Sequence, residues 1–428
     1  MKKTSVTLIL LLFATITASA QSYSNQPIDH DKVYTATYDS LVNDLVIDGL
    51  EGIGFRIART GDEEILAIGR ISTQEAHLVL PSGKIKFRIT KKYVLSFDEW
   101  HFLRPVLIDT DEYHEAVINR VAGGGDYGYD MPAYRLAALV NSGVESITIP
   151  GNYTSVKYVA YNCGRLKNVY IEDGVRAIGC NLPNEEYAGE GCPDSESTFS
   201  RCGKLEELYL PASVEIIRNL SNYYYESPRY NAPGFRYIHV DPNNKRYKDI
   251  DGIVYSKNGD TLMYVPSAIS SIDIPEGVVA TDPNNYYLFD RSLIFKYNYY
   301  NHISVPSTMK EIYSQTFPDT VYFHSKTPNQ SYGHIRGKKI IYIPRGCMIP
   351  YRELYELRYQ GQSSEFISSV ISLLTEMDET SITPPLKDNS QGEPLEFYSP
   401  LGIKTSKPAK GINIMRMKDG SVRKSLVR

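Results

Sequence analysis

The chain has 428 residues, 22% of them charged and 42% hydrophobic, with a formal net charge of −4. A balance this close to neutral offers no general attraction for nucleic acid or for an anionic membrane surface. Length and composition together describe a soluble chain of one to three domains.

Residues 1–20 read as a secretory signal peptide. Lys2 and Lys3 form the basic end, Val6–Phe13 the apolar core and Ala18-Ser-Ala20 the cleavage site. The apolar run falls short of the roughly 20 residues a membrane span needs, so no transmembrane segment remains after signal removal. Position 21 is Gln rather than Cys, which argues against a lipoprotein anchor. The expectation is an exported protein, placed at the cell surface or outside the cell rather than in the periplasm.

Residues 21–142 form a β-rich N-terminal region. Phe55–Ile57, Ile65–Ile68, His77–Leu80 and Ile85–Ile89 read as strands between Gly52, Gly54, Gly61 and Gly69. Asp111–Ala122 and Met131–Asn141 have helical character, with Gly123-Gly-Gly125 between them. The second of these predicted helices leads into Val144 and reads as a modified arm of the repeats that follow.

From 143 to 360 one phrase recurs: apolar-x-x-apolar-x-apolar, usually closed by Pro. It occurs as Val144–Pro150, Leu166–Glu172 and Leu205–Pro211, then at Phe235/Ile238/Val240, Ile269/Ile272/Ile274, Tyr300/Ile303/Val305 and Ile341/Ile343. Two apolar residues two apart share one side of an extended strand, and Pro ends the strand because it has no N–H to give. A period of roughly 20–30 residues marks a solenoid, whose units bury their apolar faces only against neighbours. A β-sandwich also has short strands at regular spacing, but its turns have no reason to repeat one Pro-x-x-apolar phrase. Leu210 and Ile274 are therefore assigned inward, and Thr148 and Tyr209 outward.

Between these strands stand Val159-Ala-Tyr-Asn-Cys163-Gly-Arg-Leu166 and Ser197-Thr-Phe-Ser-Arg-Cys202-Gly-Lys-Leu205. With them the chain resembles the BspA-like leucine-rich-repeat family of bacterial surface proteins, over about Gly143 to Tyr359. Gly54–Ile57, Leu80–Gly83 and Phe87–Thr90 resemble the segment that precedes such repeats, and Ile343–Tyr355 the strand and short helix that close them. A solenoid needs capped ends, which is the role assigned to the N-terminal region. The expected fold is thus a β-rich leucine-rich-repeat solenoid, α+β in detail, with an N-terminal β cap region and a small C-terminal β hairpin module. The resemblance implies adhesion or contact with a host surface.

An insertion at 181–197 is acidic, carrying Glu185, Glu186, Glu190, Asp194 and Glu196, yet it lacks the spacing of a calcium loop and reads as a solvated loop. Asp241-Pro-Asn-Asn244 and Asp282-Pro-Asn-Asn285 read as turns. Residues 361–395 are a closing segment and linker. Phe366–Met377 fits either a last strand or a helix, and Ser381–Pro394 is the linker. The tail, 396–428, is expected to form a hairpin around Asp419-Gly420, and from Lys404 onward it holds eight basic residues against Asp419. It resembles the short C-terminal modules related to type IX secretion signals. A sorting signal and a small β cap with a basic face both fit it.

The usual constellations of catalysis are missing. His114-Glu115 lacks the second zinc ligand at Ile118, and Gly333–Lys339 is one residue short of a phosphate loop. No catalytic residue, cofactor or metal is assigned. The five Cys have no zinc spacing. Cys163 and Cys202 share a repeat position that suits a buried thiol. Cys180 and Cys192 bracket the insertion and form a candidate disulfide in an oxidising compartment; buried thiols throughout are the other reading. The 35 Tyr include Tyr223, Tyr224, Tyr225 and Tyr230, a candidate partner-binding patch, against the alternative that these rings hold the insertions down on the loop side.

The leading function is non-enzymatic binding of a protein or glycan ligand. The alternatives are a carbohydrate-active enzyme or glycan-binding accessory, and a structural envelope component. The exported protein is expected to begin at Gln21. Intact-mass measurement checks this, and a product that keeps residues 1–20 would refute it.

Overall fold

Successive repeat frames stack as a parallel sheet. Strands Ser146–Ile149, Asn168–Ile171, Glu207–Leu210 and Tyr237–Val240 align so that Ile147, Val169, Leu208 and Ile238 are register partners in turn. All four are fully buried. Each such side chain contributes roughly 1.5–3 kcal/mol by leaving water.

The computed structural model describes residues 22–41, 43–60, 62–97, 102–122, 137–180, 182, 198–218, 220, 234–266, 268–269, 271–282, 302–312, 320–328 and 340–377. It also describes the backbone of 394–398, 404–405, 411–417 and 422–427. The expected signal peptide, nearly all of the acidic insertion, the linker and Tyr297–Tyr300 lie outside these residues. The chain divides into two units, Met1–Thr375 and Glu376–Arg428.

In the first stack the first three turns each contribute to three sheets. Besides the four-residue strands, Ser155–Val156, Ala177–Ile178 and Ile216–Ile217 form a second parallel sheet. Leu139–Val140, Ala160–Tyr161 and Phe199–Ser200 form a third. Leu139–Val140 sits where the sequence suggested the end of a helix. The strand wins because its backbone groups are taken up by the next turn, with Asn141 N donating to Tyr161 O at 3.0 Å. Cys163 and Cys202, both fully buried, direct their thiols at carbonyls of their own turn and the one before.

The turn after each long strand explains the recurring Pro phrase. Ser213 Oγ accepts from Gly174 N at 2.8 Å and donates to Val175 O at 2.7 Å, tying one turn to its predecessor. Thr308 repeats the arrangement with Gly277 N and Val278 O. Gly174, at φ +119°, has no room for a side chain, since a Cβ there would lie 2.1 Å from Gly151 O. Asp241–Asn244 is a turn, as expected, and its fully buried Asn244 amide donates to Pro211 O and Val214 O at 2.9 Å.

The N-terminal region is a closed barrel. Strands β1 (Val33–Asp39), β2 (Asp44–Ile47), β3 (Ile53–Thr60), β4 (Glu63–Ile71), β6 (Gly83–Phe97) and β7 (Leu103–Val121) follow the order β1-β2-β3-β4-β7-β6, and β1 closes on β6 in parallel. The remaining strand, β5 (His77–Val79), leaves the barrel to become the first strand of the repeat sheet, pairing with Ser146–Thr148. Tyr153 OH donates to Pro81 O at 2.5 Å and Asn152 Nδ2 to Ile118 O at 2.9 Å across the same junction. The helix expected over Asp111–Ala122 is instead the second half of β7. Ala116 and Ile118 alternate inward, Val117, Ile118 and Val121 are β-branched, and the strand pairs with β6 along its length.

Between the two stacks the parallel order gives way to an antiparallel meander, Tyr247–Ile250, Ile253–Ser256 and Thr261–Tyr264. Alternation divides it between two cores. Tyr247, Val254 and Tyr264 join the first, while Ile253, Tyr255 and Leu262 join the second. The second stack then runs Ser271–Asp273, His302–Val305, Thr320–Phe323, Ile340–Ile343 and Leu374–Glu376. The Thr320–Phe323 strand was not among the frames found in the sequence. Helices α1 (Met348–Arg358) and α2 (Ser364–Ile371) precede the last strand. Phe366–Met377 is thus both helix and strand. Tyr351 and Tyr355 are fully buried, and Tyr351 OH donates to Ser325 O at 2.8 Å.

In the second unit Gly411–Met417 and Val422–Val427 pair antiparallel, with Pro394–Tyr398 on the other side of Gly411–Met417.

Leu210 and Ile274 are 3% and 5% exposed, as the inward assignment requires. Replacing either with Ala should cost about 2–5 kcal/mol. Thr148→Asn on the opposite face should stay within about 0.5 kcal/mol. Denaturant melts check this, and equal losses at both faces would refute the strand phase.

Candidate binding face

The outward face of the first parallel sheet carries what the strand alternation keeps out of the core. One row, in register, is Val79, Thr148, Tyr170, Tyr209 and His239; the other is His77, Ser146, Asn168, Glu207 and Tyr237. Strands about 4.8 Å apart bring planar side chains at the same position to stacking distance. Tyr170 and Tyr209 stack at 4.8 Å between centroids with planes 20° apart, Tyr209 and His239 at 4.5 Å and 16°, and Tyr237 and His239 at 5.8 Å and 15°. The result is an aromatic ladder across three turns.

Glu207 fixes the ladder's polar edge. Its carboxylate accepts from the Tyr209 hydroxyl and stands 3.5 Å from His239 Nε2. Burial, then the hydrogen bond to Glu207 and its charge, hold the Tyr209 phenol far above its ordinary value of 10.0. At the start of the same sheet His77 Nδ1 lies 2.8 Å from Ser146 Oγ. Glu145 is flanked by Arg165 and Lys167, and the hydrogen bond from Arg165 holds its carboxyl below the usual range.

The second stack repeats the device. Tyr322 and Tyr342 stack at 4.6 Å and 9°, with His302 edge-on to Tyr322 at 5.7 Å. His302 Nε2 lies 3.4 Å from Asp273 Oδ1, and Ser304 Oγ 2.8 Å from His324 Nε2. Burial pulls the His324 imidazole below its ordinary value, which favours the neutral ring.

Geometry decides what these ladders can bind. Stacked rings spend their faces on one another and leave only edges outward, with the Tyr209 hydroxyl held by Glu207 and His239 Nε2 buried. Stacking of a sugar needs an open ring face, which a ladder offers only at its ends. A polar, half-buried strip of Tyr and His suits hydrogen bonding and edge contact with a protein surface. Among the described residues no group of three or more His, Cys, Asp or Glu is placed to hold a metal ion. His114 serves the barrel, stacked on Phe87 at 5.0 Å with Nδ1 2.9 Å from Glu64 Oε2.

Of the residues singled out in the sequence, Tyr223, Tyr224, Tyr225, Tyr230 and Cys192 lie outside the described residues. Cys180 is buried, its thiol 4.0 Å from Ile178 O. The ladder residues Tyr170, Tyr209, Tyr237, His239, Tyr322 and Tyr342 were missed. Their signal was present: in five of the repeat strands, Tyr or His occupies the single position between the two inward residues.

Tyr209→Phe should cost about 1 kcal/mol at pH 7 through the lost hydrogen bond. The raised native phenol means that the folded state holds this proton more tightly than the unfolded chain. Its contribution is therefore full below pH 10 and falls as pH rises above it. The variant should lose less stability than the parent between pH 10 and 11 in denaturant melts, and parallel curves would refute the assignment.

Residues 135–183 match the family model described as "BspA type Leucine rich repeat region (6 copies)", so the repeat domain is homologous there to BspA-type repeats. No curated protein matches the chain. Two solved structures are similar to it. A leucine-rich repeat protein from Eubacterium ventriosum ATCC 27560 shares 15% identity over 62% of this chain and 80% of its own, with a TM-score of 0.30. The Pneumococcal vaccine antigen PcpA shares 12% over 76% and 96%, with a TM-score of 0.23. Both scores are too low for the overall folds to coincide, so neither likeness bears on what this chain does. The matched segment is the one in which each turn carries three short strands.

Proposed function

We propose that this chain is an exported, non-enzymatic adhesion-type protein that binds a partner protein at or beyond the cell surface through the outward faces of its parallel sheets. The observation that carries this reading is the pair of aromatic ladders, Tyr170–Tyr209–His239–Tyr237 and Tyr322–Tyr342, whose ring faces are mutually occupied so that only edges are left for a partner. A protein surface can bridge several edges at once. A glycan ligand is the second reading, supported only at the ladder ends, where Tyr237 is 41% exposed. Tyr223, Tyr224, Tyr225 and Tyr230 are proposed to extend the contact surface.

The remaining parts take roles consistent with export. The N-terminal barrel serves as the cap of the first stack, a role that a solenoid's open end requires. Residues 1–20 act as the signal peptide. The basic tail of 396–428 is proposed as a sorting module of the type IX kind. A disulfide between Cys180 and Cys192 is proposed to close the insertion.

An array of matrix proteins and glycans, probed with the purified chain, tests the reading. Protein spots should bind. Tyr237→Ala and Tyr342→Ala should each weaken that binding about tenfold, or about 1.4 kcal/mol, with the melting midpoint nearly unchanged. Binding confined to glycan spots, or protein binding indifferent to both substitutions, would refute it.

A further inference from the structure

The β6–β7 hairpin outruns the barrel that holds it. β1 follows β6 only as far as Tyr93, and β4 pairs with β7 only from Val117 to Val121, yet β6 and β7 stay paired out to Phe97 and Leu103. The last third of the hairpin is therefore a two-stranded arm with no third strand among the described residues. Two strands alone are marginal in water and call for a covering layer.

Alternation shows what that layer must meet. Along β6 the inward residues Ile85, Phe87 and Ile89 fill the barrel, but the register shifts at Thr90 against both neighbours, so that Lys92 turns to the inner side beside Tyr38 and Glu112 while Lys91, Tyr93, Leu95 and Phe97 lie on the outer side. Their partners in β7 are Asp109, Leu107, Pro105 and Leu103. The outer side of the arm thus carries six apolar side chains into water. Leu95 is 53% exposed, Phe97 66%, Leu103 55% and Leu107 42%. This stripe is on the order of 600 Å², at the limit of what a monomer leaves uncovered.

A bilayer is a poor occupant. The outer edges of the arm carry unpaired backbone groups, which hydrocarbon cannot satisfy, and Ser96 and Arg104 oppose each other within it. A second copy fits better, because the stripe is complementary to itself. Under a two-fold axis running along the arm, each β6 faces the other copy's β7 at the same level. Phe97 then meets Leu103, Leu95 meets Pro105, Tyr93 meets Leu107, and at the root Lys91 meets Asp109 with opposite charge.

We propose that the chain forms a two-fold dimer by packing this arm face to face with the arm of a second copy. The contact is independent of ligand binding by the repeat sheets. Sedimentation of the purified protein at up to about 50 µM, above the micromolar end of such interfaces, should give a dimer. Leu95→Ser with Phe97→Ser should give a monomer with an unchanged melting midpoint. Lys91→Glu and Asp109→Lys should each weaken the dimer at least about tenfold, and the two together should restore it. A monomeric parent, or a dimer indifferent to the Ser pair or to the charge exchange, overturns the proposal. So does cosedimentation with phosphatidylethanolamine–phosphatidylglycerol vesicles that the Ser pair abolishes, which would assign the arm to lipid.

Discussion

The fold depends on one constraint: an inward Ile, Leu or Val of a repeat strand is covered only if the next turn places its own apolar residue at the same level. Ile147, Val169, Leu208 and Ile238 meet that condition by parallel register alone. Four-residue strands carry too few hydrogen bonds to hold such a register unaided. Ser213 and Thr308 supply the missing definition, since each hydroxyl is committed on both sides to the backbone of the preceding turn. The recurring Pro-x-x-apolar phrase is the trace of that tie in the sequence.

The same constraint makes the ends of a stack expensive, because a terminal turn would leave one layer of apolar residues in water. At the N-terminal end β5 leaves the barrel to pair with Ser146–Thr148, so the first repeat strand never faces solvent. At the C-terminal end Tyr351, Leu354 and Tyr355 of α1 pack into the second core, and Leu374–Glu376 adds a last strand. In the middle the meander serves both stacks. What escapes burial is the outward face, and there the strand spacing that aligns the core also aligns Tyr170, Tyr209 and His239. Core and candidate site are two readings of one register.

The parts of this that could be read from sequence were those with a period. The inward positions, the Pro turns and the paired Cys163 and Cys202 follow from a repeated spacing, the closing helix after Ile343 was implied by the family resemblance, and the structure places them accordingly. Asp111–Ala122 was misread because its charges, spaced three and four apart, imitate a helix face. Its true partner, β6, lies across the hairpin turn and leaves no local mark. Thr320–Phe323 escaped because it lacks both the leading apolar residue and the closing Pro. The ladder was legible but unread: Tyr209 was seen as an outward residue by itself, and stacking exists only between turns. The exposed arm could not be read at all, since Leu95 and Phe97 alternate like any core strand and the shift at Thr90 that turns them outward shows only in the pairing.

The meander has a thermodynamic consequence of its own. Its middle strand gives Val254 to one core and Ile253 and Tyr255 to the other. Neither stack can come apart without stripping one side of a strand that the other stack still needs. A tandem array of turns ordinarily lets its ends fray while the middle persists. Here the shared strand makes melting in one half a penalty on the other, so the two arrays are bound to lose their structure together.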